Sequence, residues 1–147
     1  MKYNFEIIAV KTKGVDTERL KRLVRRIYSH EGIAKEIGLN IILTGNEKLR
    51  GLNKKFKDSD RATDVLSFAF DEDKTPGNTM LGEVYISLEK AATQSKKYDV
   101  SVQNEVERLL VHGILHLLGF SHQNSDDAKE MFSKTESYLS YHKGKEK

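Results

Sequence analysis

Three histidines lie within the eleven residues from 112 to 122, whose sequence is HGILHLLGFSH. On a helix, residues four apart lie one turn apart on the same face, so His112 and His116 can direct two imidazoles to a single ion. Gly119 can adopt the left-handed conformation that ends a helix, and such a turn would bring His122 toward the same ion from another side. The spacing therefore predicts a metal site with three imidazole ligands.

Three neutral ligands indicate a catalytic ion, because structural zinc sites are usually closed by four ligands that often include thiolates. The fourth position would then hold water. We expect one Zn²⁺ per chain, since imidazole ligands without thiolates or clustered oxygens suit this ion. The alternative is that these histidines are only hydrogen-bonded and bind no metal, an interpretation that we would favour for any one of them alone.

The elements that must position the histidines follow from the apolar patterning. Apolar runs predict four strands, in the segments NFEIIAV, IGLNIILTG, DVLSFAF and GEVYISL. Amphipathic segments predict helices that begin near Thr17, Asn46, Glu89, Ser101 and Asp126. We therefore expect an α+β fold in which helices pack on a mixed sheet of about four strands.

The helix from Ser101 to about Leu118 is the core helix that carries the first two histidines. Its predicted core face consists of residues at helical spacing: Val102, Val106, Leu109, Leu110, Gly113 and Leu117. That face leaves the histidines on an adjoining stripe, with the metal site at the end of the helix. A glycine within the face predicts that another element approaches closely there.

Length and composition indicate one globular domain. The chain has 147 residues, of which 37% are hydrophobic and 32% charged, and it has no cysteine. No apolar run is long enough to span a bilayer, and the amino terminus does not resemble a signal peptide. We expect a cytoplasmic protein without a membrane partner, in which residues 1–142 form the domain and residues 143–147 a loose tail.

Positive charge is concentrated on two predicted helices, although the net charge of +3 alone does not identify a nucleic-acid binder. The first helix places its basic residues opposite an apolar face of Leu20, Leu23, Val24, Ile27 and Tyr28, and a solvated surface is the favoured interpretation. The second carries Lys48, Arg50, Lys54, Lys55 and Lys57. It leads into a loop and strand that we expect to border the active site.

Four segments resemble motifs of the YbeY family of bacterial metal-dependent endoribonucleases. HGILHLLGFSH resembles the family's HGxLHLxGYDH, ATDVLSFAF its TDVLSFP, LGEVYISLEKA its LGDIxIS, and LNKKFKDSD its LNxxYRxxD. The resemblance implies a zinc-associated endoribonuclease that prefers single-stranded RNA. It also implies a role in ribosomal RNA maturation, notably at the 16S 3′ end, and in quality control of ribosomes, with the small subunit as a partner.

The same resemblance assigns residues to roles. It implies that His112, His116 and His122 are the metal ligands and that these histidines and Lys57 are the catalytic residues, with Lys57 as the RNA contact. Lys57 stands where the family usually has arginine, and a lysine cannot make the planar two-pronged contact of a guanidinium with phosphate. Ser121 replaces the aspartate that usually precedes the third histidine, a change that affects how a ligand is oriented more than whether metal binds.

Gly113 argues against proteolysis. The histidine spacing is metzincin-like, but a metzincin protease needs a glutamate directly after the first histidine to take a proton from the zinc-bound water. Phosphodiester cleavage makes other demands, since a metal and a basic side chain can neutralise much of the charge that develops on phosphate. A metal-dependent hydrolase of proteins or small molecules and a ribosome-associated binding protein with a structural metal remain as alternatives.

Two carboxylates are further candidates for the cleft. Glu105 lies seven residues before His112, nearly on the same helical face. It either lines the cleft or orients a ligand, or it is a solvated carboxylate paired with Arg108 or a lysine. Asp64 precedes the strand VLSFAF and either sits near the cleft or only caps the loop, and the family resemblance favours it as a site residue. Ser67, inside that strand, is expected to be a structural hydroxyl because no catalytic triad pattern surrounds it.

Overall fold

A computed structural model of the chain describes residues 3–10, 14–57, 63–69, 80–121 and 124–144. The strands are β1 (Phe5–Ala9), β2 (Gly38–Thr44), β3 (Val65–Ala69) and β4 (Met80–Ser87). The helices are α1 (Thr17–Glu31), α2 (Asn46–Phe56), α3 (Leu88–Tyr98), α4 (Val102–Leu117) and α5 (Ser125–Gly144). The α+β class and the four strands predicted from the apolar patterning are confirmed.

The strands form one mixed sheet in the order β1-β2-β4-β3. β1, β2 and β4 are parallel, whereas β3 runs antiparallel to β4. Residues paired directly across neighbouring strands point to the same face of a sheet. Val84 pairs with Ile41 and Ser67, so these three share one face, and Phe68 shares the opposite face with its partner Glu83. α4 packs on the first face, and α2 packs on the second.

Gly113 is the point at which α4 meets the sheet. A Cβ atom at this position would lie 2.6 Å from Cγ1 of Val84 and 3.2 Å from Oγ of Ser67. The Ser67 hydroxyl also donates a hydrogen bond of 3.0 Å to the carbonyl oxygen of Gly113. The close approach expected at this glycine is therefore present, and Ser67 ties β3 to α4.

The core face predicted for α4 was too narrow. From residue 105 to residue 117, every residue is buried except Arg108, His112 and His116. The buried set includes two carboxylates, Glu105 and Glu107. The apolar periodicity could not indicate this, because α1, α3 and α5 all pack against α4 in addition to the sheet.

A buried ion pair joins α1 to α4. Nε of Arg19 lies 2.7 Å from Oε2 of Glu107, and Gln103 donates a hydrogen bond of 2.9 Å to the same oxygen. The buried residues of α1 are those expected from its sequence: Leu20, Leu23, Val24, Ile27 and Tyr28. Arg22 and Arg25 are exposed as predicted. Arg19, which was predicted to be solvated as well, instead neutralises a carboxylate in the core.

No helix in the described ranges is both long and apolar enough to cross a membrane. α5 continues through Gly144 and so includes the first two residues of the predicted tail, while residues 145–147 lie outside the described ranges. The division of the chain at residue 142 stays a prediction.

The contact at Gly113 predicts opposite effects for two glycine-to-alanine substitutions in helices. Gly113→Ala should lower the free energy of unfolding by about 1–3 kcal/mol, because the new methyl group meets the stiff, β-branched Val84. Gly51→Ala in α2 is the matched control, since nothing lies within 4 Å of its Cβ position. It should raise the free energy of unfolding by up to about 1 kcal/mol through helix propensity. Urea denaturation measures both, and equal stabilisation by the two changes would contradict the close approach.

Candidate functional site

Between residues 105 and 117 of α4, one stripe reaches the surface, and it consists of Arg108, His112 and His116. These residues are spaced four apart, so their side chains follow one another along a single face of the helix. Arg108 and His112 are half-buried and His116 is exposed. The four-residue spacing of Arg108 from His112 could have indicated this shared face, but Arg108 was predicted only as a partner for Glu105. The structure adds Arg108 to the histidine face.

The two histidines of α4 lie as their spacing predicted. Their imidazole rings are nearly parallel, with an interplanar angle of 11° and 6.1 Å between ring centroids. α4 ends in a glycine turn: Gly119 has φ +102°, its N–H donates to the carbonyl of His116, and that of Phe120 donates to the carbonyl of Leu115. This pair of hydrogen bonds reverses the chain just before residue 122. His122 itself lies outside the described residues.

Arg108 is fixed by Glu105, one turn earlier on α4. Nε and Nη2 of the guanidinium donate hydrogen bonds of 3.0 Å and 2.6 Å to the two oxygens of Glu105. Gln94 of α3 donates another, of 2.6 Å, to the same carboxylate, whose side chain is only 2% exposed. Of the two roles considered for Glu105, pairing with Arg108 is therefore the one observed. The carboxylate is buried rather than solvated, and it holds the guanidinium in place.

Asp64 lies close enough to influence Arg108. The hydrogen bond to Glu105 is the largest cause that raises the pKa of Arg108, burial opposes it, and the charges of Glu105 and Asp64 raise it further. Asp64 is half-buried, and its carbonyl oxygen accepts a hydrogen bond of 2.9 Å from the backbone N–H of Ser87. Asp64 directly precedes β3, and its role as a site residue stays a prediction.

Ser121 is hydrogen-bonded to a carboxylate that was not among the predicted site residues. Its hydroxyl donates a 3.4 Å hydrogen bond to Oδ2 of Asp127, which also accepts one of 3.1 Å from Asn124. Asp127 lies in the first turn of α5. An acidic group is therefore present beside position 121 although the chain lacks an aspartate there. Only the fold could reveal this, because Asp127 comes six residues later in the chain.

Lys57 lies beside the aromatic ring of Phe68. It is the exposed residue that ends α2, and its Nζ lies 5.4 Å from the ring centroid of Phe68. Phe68 points to the face of β3 opposite Ser67, whereas Ser67 and Gly113 meet on the α4 side. Phe56, 57% exposed, stacks edge-on against the same Phe68 ring. Lys57 thus belongs to a cationic and aromatic surface on the other face of the sheet.

Comparisons with known proteins agree on one family. The family model for endoribonuclease YbeY matches residues 6–143. Three relatives that bear this name come from Sulfurihydrogenibium sp. (strain YO3AOP1), Bacillus licheniformis and Aquifex aeolicus. They are 42%, 35% and 32% identical to this chain, respectively, and cover 84%, 90% and 92% of it. The matches span 81%, 90% and 89% of the relatives' own lengths.

A solved structure is also similar. The solution structure of a protein from Thermotoga maritima superposes with a TM-score of 0.64 at 27% sequence identity, and the match covers 96% of this chain and 90% of the other. The matching family model and the identity to relatives along most of the chain confirm the resemblance that the four sequence motifs indicated. This chain belongs to the endoribonuclease YbeY family.

Proposed function

We propose that this endoribonuclease cleaves single-stranded RNA with one Zn²⁺ ion bound by His112, His116 and His122. The parallel imidazoles on α4, with centroids 6.1 Å apart, are the observation that supports this most directly. Two imidazoles on one tetrahedral ion have centroids about 5 Å apart, given Zn–N distances of about 2.0–2.1 Å. Small side-chain rotations therefore suffice for both to reach one ion, and the turn at Gly119 suits a third ligand shortly after it.

The residues around the histidines suit a phosphodiester substrate. When bound, the ion supplies Lewis acidity to the scissile phosphate. Arg108 brings a guanidinium to the position one turn before His112, and Glu105 fixes its plane before any substrate arrives. A preorganised donor of this kind can stabilise charge on phosphate oxygens without the cost of reorganising at the moment of reaction.

The packing of Gly113 argues against the protease alternative. The position after the first histidine faces Val84 and Ser67, so it points into the sheet and not toward a substrate. A glutamate there would be forced against Val84 and could not serve as a general base. The protease mechanism therefore lacks both the required residue and the space for it.

We infer the cellular role from the family resemblance. We assign this chain to ribosomal RNA processing, with maturation of the 16S 3′ end and ribosome quality control as its tasks. Its partners are then single-stranded ribosomal RNA and the small ribosomal subunit, and its location is the cytoplasm, where ribosomes assemble. Arg22 and Arg25 are exposed on α1, and their positive charges can attract the phosphates of such an RNA-rich partner.

Metal analysis and RNA cleavage together test the proposed site. Purified protein should contain about one zinc ion per chain and should cleave a single-stranded RNA oligonucleotide, and a chelator should abolish the cleavage. His112→Ala combined with His116→Ala should lose both the ion and the activity. Elemental analysis and gel-resolved cleavage products are the measurements.

His30→Ala is the matched control, because His30 is an exposed histidine on α1. It should keep both the metal content and the rate of the unaltered protein. Loss of cleavage in the doubly substituted protein, purified in the same way, would then rule out a contaminating nuclease as the source of cleavage. Full metal occupancy in the doubly substituted protein would place the ligands elsewhere.

Substitutions at Lys57 separate RNA binding from metal chemistry. Lys57→Ala should raise KM for single-stranded RNA and leave zinc content unchanged, whereas Lys57→Arg should keep or improve the activity through a two-pronged phosphate contact. Lys57→Ala should also reduce the slope of log affinity against log salt by about 0.7, the value for one phosphate contact on a single strand. Fluorescence anisotropy over a salt series measures that slope.

Lys96→Ala, which removes an exposed charge near the end of α3, is the control and should change neither quantity. If KM and the salt slope are the same for Lys57→Ala, Lys57→Arg and the unaltered protein, Lys57 does not contact the RNA. The path would then run over α1, around Arg22.

A further inference from the structure

A groove of about 500 Å³ opens between α4 and α5 beside the histidine stripe. Arg108 and His112 form its α4 wall, and the α5 wall includes Lys129, Phe132 and Glu136. The groove is thus continuous with the proposed metal site, because His112 belongs to both. Its volume lies within the range of about 300–1,000 Å³ that is typical of small-ligand sites.

Phe132 lines this groove on the α5 side. Its side chain is 68% exposed, whereas its neighbour Met131 is fully buried and provides the core contact of this turn of α5. A phenylalanine of this exposure contributes little to the core. Its ring can instead receive a planar partner, and every nucleobase has a planar face that stacks on aromatic side chains.

Charged groups surround the ring in a pattern that fits a nucleotide. Lys129 lies three residues before Phe132 and Glu136 four residues after it, so the three share one face of α5. Arg108 faces them from α4, and its side chain is 39% exposed although it is bound to Glu105. The two cations can meet phosphate oxygens, and the carboxylate can accept a hydrogen bond from an exocyclic amino group of a base.

From this arrangement we infer that the groove between α4 and α5 binds one nucleotide of single-stranded RNA next to the scissile phosphate, with its base stacked on Phe132. Arg108 and Lys129 contact the adjoining phosphate. The inference rests on the proposed ribonuclease function and adds to it a binding site for the base. It also accounts for a preference for single strands, since a base paired in a duplex cannot leave its stack to enter the groove.

Substitutions at Phe132 test this site. Phe132→Ala should raise KM for single-stranded RNA by about 5- to 150-fold, the range expected for the loss of one base stack, with little change in kcat. Phe132→Tyr should restore KM because it keeps the aromatic face. Fluorescence anisotropy measures the binding of a 2′-O-methyl oligonucleotide. Its affinity should fall in Phe132→Ala and return in Phe132→Tyr, and the zinc content should be the same in both variants.

Two further variants make the result specific. Ile8→Ala removes a partly exposed apolar side chain from β1, the edge strand opposite to β3. This change should leave KM and the affinity for RNA unchanged. Phe56→Ala tests the aromatic surface around Phe68. If Phe56→Ala weakens binding and Phe132→Ala does not, the base stacks on the other face of the sheet and the inference is wrong.

The cleavage and binding measurements distinguish a failure of the proposed function from a failure of the nucleotide site. Absence of RNA cleavage by the zinc-loaded protein would contradict the proposed function. Normal cleavage with unchanged affinity and KM in Phe132→Ala would contradict the nucleotide site alone. Unchanged RNA affinity combined with weaker binding of an unfolded polypeptide by Phe132→Ala would assign the groove to a peptide and would also overturn the inference.

Discussion

The close packing of Gly113 against Val84 and Ser67 is the contact on which the geometry of the site depends. It brings α4 so near to the sheet that a single methyl group would not fit without movement of a neighbour. Because this residue must face the sheet, the rotation of α4 about its own axis is fixed. The positions on the other side of the helix then reach the surface, and they are Arg108, His112 and His116.

Burial of α4 on its remaining sides imposes an electrostatic constraint. Glu105 and Glu107 lie in the core, and a buried carboxylate is costly unless a cation and hydrogen bonds compensate it. Each one is bound by an arginine and by a glutamine amide, Glu105 by Arg108 and Gln94, and Glu107 by Arg19 and Gln103. The first of these networks holds Arg108 beside the histidines, and the second fixes α1 against α4. The cations that compensate the buried carboxylates thus also orient part of the exposed face of α4.

The features that could be predicted from the sequence are those that depend on the spacing of neighbouring residues. The buried face of α1, the four strands, the glycine turn after α4 and the pairing of His112 with His116 all depend on residues close together in the chain. The nearly complete burial of α4, the carboxylate of Asp127 beside Ser121 and the groove formed with α5 depend on packing between distant segments. Periodicity within one helix carries no information about how many neighbours surround it, so these features required the structure.

The position of Lys57 bears on how RNA reaches the histidines. Lys57 and Phe68 lie on one face of β3, whereas Ser67 of the same strand contacts α4 on the other. β3 pairs only with β4 within the described ranges, so it is an edge of that sheet. An RNA strand that contacts both Lys57 and the groove beside His112 would therefore reach both faces of β3. In the proposed binding mode the charge of Lys57 holds the strand, and a lysine supplies this charge without the two-pronged phosphate contact of an arginine.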